Sequence, residues 1–205
     1  MWTRGAAIRP VPAYAVVHST VLRRIEDALA EQASGGRTAM DGAFERFERT
    51  QPELAARVND VLERPLDDTA LALGYFLSIA IWLAFEDAFD GRLRTVTRDA
   101  WSATAAALAL EEDLRKREAD EPLDLDDVLS IEQPDILAFI HEHIDAALET
   151  SRDETADDSA SEPGRITDVD VDDVHLVYRI ILGLTLALSH AVEPVGSEPS
   201  PELLA

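Results

Sequence analysis

The most hydrophobic stretch of the chain, residues 69–89, has no charged side chain before Glu86. At about 100° per residue, its large apolar side chains point in every direction around a helix and leave no polar face. They are Leu71, Leu73, Phe76, Leu77, Ile79, Ile81, Trp82, Leu83, Phe85 and Phe89. A helix of this kind is stable in water only when other helices surround it. The pattern therefore predicts an all-α bundle around a central hydrophobic helix.

Apolar residues recur at helical spacing in most of the remaining chain, and no stretch has the alternation of a convincing β-strand. The other predicted helices cover residues 13–33, 41–49, 51–64, 97–118, 134–150 and 172–192. Thr50-Gln51-Pro52-Glu53 has the pattern of a capping box, in which Thr50 caps the helix and Glu53 reaches back. The alternative is one long helix kinked at Pro52. The predicted fold is a bundle of about six helices.

One acidic segment interrupts this pattern. Residues 151–173 contain nine acidic residues against Arg152 and Arg165, with almost no large apolar residue before Ile166. Such a segment cannot bury enough surface to offset its ordering entropy. In chain order, the predicted parts are a flexible lead-in at 1–12, a helical bundle at 13–150, a disordered acidic linker at 151–171, a last helix packing back at 172–192 and a flexible tail at 193–205.

The central hydrophobic stretch is too short for a typical membrane span. Residues 70–85 are 16 consecutive uncharged residues, whereas a span needs about 20. Extending the stretch would place Glu86, Asp87 and Asp90 in the hydrocarbon, which is unfavourable. We therefore expect no membrane span.

Charge is the unusual property of the composition. The chain has 41 acidic and 18 basic residues, a formal net charge of −23, and Lys116 is its only lysine. Two explanations stay open: an acidic surface that docks a basic partner or mimics nucleic acid, or adaptation to a high-salt cytoplasm, where dense carboxylates maintain solubility. Scarce lysine and acids spread along the whole chain favour the second. Direct nucleic-acid binding is not expected, since it needs clustered basic residues.

The sequence contains few recognisable chemical motifs. It has no cysteine, which excludes disulfides, thiolate metal sites and cysteine nucleophiles. It also has no Gly-rich phosphate loop and no Gly-x-Ser-x-Gly motif, so we expect no cofactor. His141 and Asp145 are weak metal candidates because residues four apart share a helix face, whereas His141 and His143 diverge. No signal peptide is visible, which favours a cytoplasmic protein.

A set of polar side chains on apolar helices is poorly explained by packing. This candidate polar cluster comprises Glu86, Asp90, Arg179, Tyr178, His175, His190 and His18. Arg179 is the only charged residue between Asp173 and Glu193, and its natural partner is an inward-facing acid such as Glu86. The cluster is interpreted either as structural ion pairs and core histidines, or as a polar pocket or partner-binding face.

Three functions are compatible with these patterns. The first is a non-enzymatic interaction or regulatory protein, with a protein partner or a second copy bound through an apolar helix face as a homodimer. The second is a metal-dependent or hydrolytic bundle enzyme, using residues drawn from Glu86, His141, Asp145, His175 and His190. The third is a receptor for a small apolar ligand, with its pocket beside Trp82 and Tyr178. The absence of any catalytic motif favours the first.

Overall fold

The structure is a computed structural model, and it describes residues 9–33, 38–117, 132–157 and 170–196. Within those ranges, one turn of 3-10 helix and seven α-helices account for nearly all regular structure, and the only β pairing is a single bridge between Leu93 and Val192. The α-helices are α1 Ser19–Ala33, α2 Thr38–Thr50, α3 Pro52–Leu62, α4 Asp68–Ala88, α5 Arg98–Arg117, α6 Pro134–Asp157 and α7 Val171–Ala191. The predicted all-α helical bundle is confirmed.

Helix α4 contains the hydrophobic stretch. It begins where the Asp67 carboxylate accepts a hydrogen bond from the Ala70 amide at 2.8 Å, an N-cap arrangement. It ends at Ala88, and Gly91 follows with a φ of +70°, a conformation that glycine adopts without steric cost. Between these ends, α4 packs against α1, α2, α3, α6 and α7. Because neighbours contact it on several sides, the helix needs no polar face.

Helix α7 runs parallel to α4. Near their N-terminal ends, the Asp67 amide donates a hydrogen bond to the Asp173 carboxylate at 2.8 Å. Just beyond their C-terminal ends, Leu93 and Val192 form the β bridge. Residues near the start of α7 therefore meet the start of α4, and residues near its end meet the end of α4.

The first predicted helix begins later than expected. Ala13–Ala15 form the 3-10 turn, residues 16–18 are not helical, and α1 starts at Ser19. Side chains of the α6 region bind the backbone amides at this break. Gln133 Oε1 accepts from the Val17 amide at 3.0 Å, and Asp135 Oδ2 accepts from the Ser19 amide at 2.7 Å. These amides are thus satisfied without a continuous helix.

Helix α6 continues to Asp157, beyond its predicted end at residue 150. No glycine or proline follows Pro134 within it, so nothing in the backbone chemistry stops the helix. Residues 151–157 are therefore helical although they contain no large apolar residue. The rest of the predicted linker at 158–169, the lead-in at 1–8 and the tail at 197–205 lie outside the described residues.

Two helices, α4 and α7, are long and apolar enough to cross a membrane by length and composition. In each of them, 61% of the apolar window is buried inside the bundle. A core helix of a bundle has the same length and composition as a span, so these properties do not separate the two. The absence of a membrane span stays a prediction.

Candidate functional site

A groove of about 870 Å³ lies between α2 and the end of α4, and we call it the α2–α4 groove. Helix α4 contributes Trp82 and Glu86 from one face, since residues four apart on a helix are neighbours. Helix α2 contributes Arg46 and Arg49, which are three residues apart and are also neighbours on one face. The described lining residues are Ile25, Arg46, Arg49, Thr50, Gln51, Trp82, Leu83, Glu86, Asp87, Phe89, Asp90, Gly91, Leu93 and Thr95. The groove has a basic side on α2 and an acidic side on α4.

Glu86 forms an ion pair with Arg46 across this groove. The Arg46 guanidinium donates to Glu86 Oε2 at 2.8 Å, and its central carbon lies 5.0 Å from the centre of the Trp82 ring. The two charged side chains are 45% and 32% exposed. Solvent therefore screens the pair, and its net contribution to stability is about 0–1 kcal/mol. Arg46 covers the Trp82 ring through contacts that cost little to open.

The predicted pairing of Glu86 with Arg179 is wrong, because the two residues lie at different heights along the bundle. Val177 packs against Gly74, where a Cβ would meet a Val177 methyl at 3.2 Å. The neighbouring Arg179 is therefore beside the first half of α4, and it is exposed. Glu86 follows Gly74 by twelve residues, about 18 Å along the helix axis. Arg179 follows Val177 by two residues in the parallel α7, which leaves about 15 Å between the heights of Arg179 and Glu86, further than an arginine side chain reaches.

Trp82 lies wholly buried beneath the Arg46 cover. Its ring packs against Phe47 of α2, with 5.3 Å between the ring centroids. Its indole Nε1 has no hydrogen-bond partner among the described residues. A buried donor without an acceptor costs about 1–3 kcal/mol. The Trp82 N–H is thus a buried donor that is unpaired among the described residues, on a side chain that lines the groove.

The remaining charges of the groove are unevenly paired. Asp87 forms an ion pair with Arg24 of α1. Asp90 and Arg49 are both exposed, and neither has an ion pair with another described residue. One carboxylate and one guanidinium of the groove are therefore open to an incoming charged group.

The other members of the candidate polar cluster lie elsewhere. His190 lines a second cavity, between α5 and α7. The Tyr178 hydroxyl lies 3.2 Å from His141 Nε2. His175 is exposed, and so is His18, which precedes α1 and accepts the Val21 amide through its carbonyl. The interpretation of His18 as a core histidine on an apolar helix is wrong, because His18 is exposed and α1 begins only at Ser19. The cluster does not converge on one cavity.

Among the described residues, no further ligand joins the weak metal candidates His141 and Asp145. His141 contacts Tyr178, and Asp145 is exposed. The adjacent His143 is held by the Phe139 carbonyl at 2.9 Å. Among the described residues, no three histidine or carboxylate side chains are grouped as metal ligands. His141 and Asp145 alone would supply two ligands, whereas zinc sites use three or four from the protein.

Sequence reasoning missed a buried amide that shapes the groove. Gln51 is 2% exposed. Its Oε1 accepts from the Val96 amide at 2.8 Å, and its Nε2 donates to the Arg94 carbonyl at 3.1 Å. Thr50 does not cap α3 as predicted, because its hydroxyl donates to the Arg46 carbonyl at 3.0 Å. A glutamine beside a proline is typical of an exposed helix start, so the sequence contained no signal for this role.

Comparisons of the chain with protein-family models, with curated proteins and with solved structures gave no match. Its function is therefore inferred from its own residues.

Proposed function

We propose that the protein is a non-enzymatic interaction module whose α2–α4 groove binds a basic segment of a partner protein. The observation that carries this proposal is Trp82, a wholly buried indole whose N–H lacks an acceptor among the described residues. A polypeptide presents a carbonyl acceptor at every residue. A segment inserted beneath Arg46 would thus pair the Trp82 N–H, and this gain is specific to the bound state.

The acidic side of the groove sets the charge of the partner. Glu86, Asp87 and Asp90 project from the last turn of α4 or just after it. The whole chain carries a formal charge of −23, which attracts cationic segments and repels anionic ones. A partner lysine or arginine would replace Arg46 at Glu86. One exposed ion pair would be exchanged for another at small net cost, and the displaced Arg46 would uncover Trp82.

The alternative functions have less support from the described geometry. A metal-dependent enzyme would need at least three of its histidines and carboxylates together, and no such group occurs among the described residues. Glu86 lines the α2–α4 groove, whereas His141 contacts Tyr178 of α7 and His175 is exposed. An apolar-ligand receptor was predicted to have its pocket beside Trp82 and Tyr178. Tyr178 does not line the groove that contains Trp82. Binding of a protein segment is therefore the proposal that uses the observed arrangement most directly.

Fluorescence anisotropy with labelled Lys/Arg-rich and Asp/Glu-rich peptides tests the proposal, at the lowest KCl concentration that keeps the protein folded. We expect basic peptides to bind and acidic ones not to bind. The double substitution Glu86→Gln with Asp90→Asn should raise the Kd about tenfold, which corresponds to ~1.4 kcal/mol. The matched control is Glu142→Gln with Asp145→Asn, which removes two exposed charges from α6 and should leave the Kd nearly unchanged.

Trp82 itself supplies a second readout. Replacing Trp2 and Trp101 with phenylalanine leaves Trp82 as the only tryptophan, and its emission should change when a basic peptide displaces Arg46. Equal losses of binding in the two double variants would show non-specific attraction and refute the groove as the site. A dimer in light scattering that Glu86→Gln with Asp90→Asn dissociates would identify a second copy as the occupant instead. A strict monomer that binds no peptide would overturn the proposal.

A further inference from the structure

A second cavity, of about 450 Å³, lies between α5, the segment that precedes it, and the end of α7. We call it the α5–α7 pocket. Its inner wall consists of small or apolar side chains, namely Val96, Ala100, Ala103, Ala107, Leu186, Ala187 and Ala191. Because alanine side chains are short, they leave a space between the facing surfaces of α5 and α7. The volume is in the range of small-molecule sites, which are mostly apolar with a few placed polar groups.

The polar lining of this pocket has the opposite charge to the rest of the protein. Arg9, Arg94 and His190 line it, together with the hydroxyl residues Thr95, Thr97 and Thr104. None of the described lining residues is acidic, although 41 of 205 residues in the chain are Asp or Glu. The pocket lining is therefore locally positive and complementary in charge to an anion.

The two arginines differ in how far they are already engaged. Arg94 donates to Glu193 Oε2 at 2.7 Å, but its side chain is 55% exposed. A guanidinium has five N–H donors, so one carboxylate leaves others available. Arg9 is exposed and has no ion pair with another described residue. A ligand carboxylate can therefore be held at the entrance without displacing a buried contact.

His190 contributes a ring nitrogen that can accept a hydrogen bond from a ligand. Its Nδ1 is buried and has no hydrogen-bond partner among the described residues. Burial, followed by the Arg9 charge, lowers the pKa of His190 on balance. A neutral imidazole has one nitrogen that accepts a hydrogen bond, and an acceptor at Nδ1, unpaired among the described residues, suits an O–H or N–H donor of a ligand.

We propose that the α5–α7 pocket binds a small hydroxycarboxylic acid with a short hydrocarbon part. The carboxylate lies against Arg9 and Arg94, and the hydroxyl group donates to His190 Nδ1. The hydrocarbon part packs on Leu186 and the alanines of α5 and α7. The charged and imidazole side chains that supply its chemistry are not those of the α2–α4 groove, although Thr95 lines both cavities.

Isothermal titration calorimetry of the full chain tests the site with three matched probes: 2-hydroxy-4-methylpentanoate, 4-methylpentanoate without the hydroxyl group, and the methyl ester of the hydroxy acid. The hydroxy acid should bind at least about tenfold more tightly than either of the others, because only it serves both Nδ1 and the arginines. A tenfold ratio corresponds to ~1.4 kcal/mol. Equal affinity for the first two probes, or no heat with any of them, would overturn the proposal.

Variants separate the two contacts. Arg94→Gln should weaken both acids alike, whereas His190→Phe should abolish the preference for the hydroxy acid. Arg64→Gln, at an exposed arginine outside the pocket, is the control and should leave both affinities unchanged. If His190→Phe does not fold, ¹⁵N NMR of the His190 ring in the wild-type protein gives the answer. A protonated Nδ1, or an Nδ1 shift that does not move on adding the hydroxy acid, would refute the assigned contact.

Discussion

The buried side-chain amide of Gln133 connects three parts of the bundle, and replacing it should destabilise the protein strongly. Gln133 is 0% exposed. Its Oε1 accepts from the Val17 amide at 3.0 Å, and its Nε2 donates to the Ala15 carbonyl at 2.7 Å and to Ser189 Oγ at 2.9 Å. The substitution Gln133→Met keeps the length and flexibility of the side chain and removes all three hydrogen bonds. Ser189 keeps its hydrogen bond to the Thr185 carbonyl, so it is affected less than the Val17 amide and the Ala15 carbonyl.

The cost of Gln133→Met comes from the two backbone groups left without a partner. Val17 and Ala15 are both fully buried, and each unpaired buried group costs about 1–3 kcal/mol. The apolar methionine recovers part of this through burial, so we expect a net loss of ~2–4 kcal/mol. Domains of this size have a total stability of about 5–15 kcal/mol. The loss is therefore large enough to measure without preventing folding.

Urea unfolding followed by circular dichroism, at fixed KCl, measures this loss as a change in the free energy of unfolding. Glu142→Met, at an exposed position of α6, the helix that follows Gln133, is the control and should change stability by no more than ~0.5 kcal/mol. Hydrogen exchange of the Val17 amide should also become faster in Gln133→Met. A loss below ~1 kcal/mol, with Val17 still protected, would show that other groups satisfy this backbone and would refute the reasoning.

Three further predictions concern charge, pH and backbone conformation. If the acidity reflects a high-salt cytoplasm, the melting temperature should rise between 0.1 and about 2 M KCl, because salt shortens the Debye length to about 3 Å at 1 M; a melting temperature indifferent to KCl would contradict this. Burial and the charge of Arg9 lower the pKa of His190, whereas the charge of Glu132 raises it; Arg94 lines the same pocket. As pH falls, the imidazole is therefore protonated in the unfolded chain before it is protonated in the folded protein. Stability should fall as pH drops below about 6.5, and His190→Gln should flatten the stability–pH curve in that window. Gly91→Ala should cost ~1 kcal/mol in urea unfolding because its φ is +70°, whereas Gly42→Ala, helical and with no atom within 4 Å of the added Cβ, should stabilise by up to ~1 kcal/mol. Equal changes in the free energy of unfolding for Gly91→Ala and Gly42→Ala would contradict the positive φ assigned to Gly91.

Helical periodicity predicted the elements that are apolar on one side or on all sides. The stretch in α4 was recognisable because charge is absent over more than four turns, and only a buried helix tolerates that. In α7, the polar residues Thr185 and Ser189 are buried. Each hydroxyl donates to the carbonyl four residues earlier, so these side chains are satisfied within their own helix.

The candidate site was predictable only in part. The sequence indicated Glu86 and Asp90 as exceptions at the end of an apolar helix, and both line the α2–α4 groove. Which residues lie beside them depends on how the other helices are rotated about their axes and positioned along the bundle, and the periodicity of one helix does not predict either. Arg46 comes from α2, forty residues earlier, on a short amphipathic helix whose arginines look like ordinary solvated residues. The partner assigned from α7, Arg179, was chosen by charge alone, without the parallel arrangement that separates it from Glu86.

The segment before α5 links the two cavities in space, and this decides which variants are informative. Thr95 lines both the α2–α4 groove and the α5–α7 pocket. The backbone on either side of it is held by Gln51 at Arg94 and Val96, and the Arg94 amide donates to the Ala191 carbonyl at 3.0 Å. A change at Gln51 therefore displaces both linings at once. Loss of peptide and hydroxy-acid binding together indicates damage to this segment, whereas loss of one alone identifies a contact in that site.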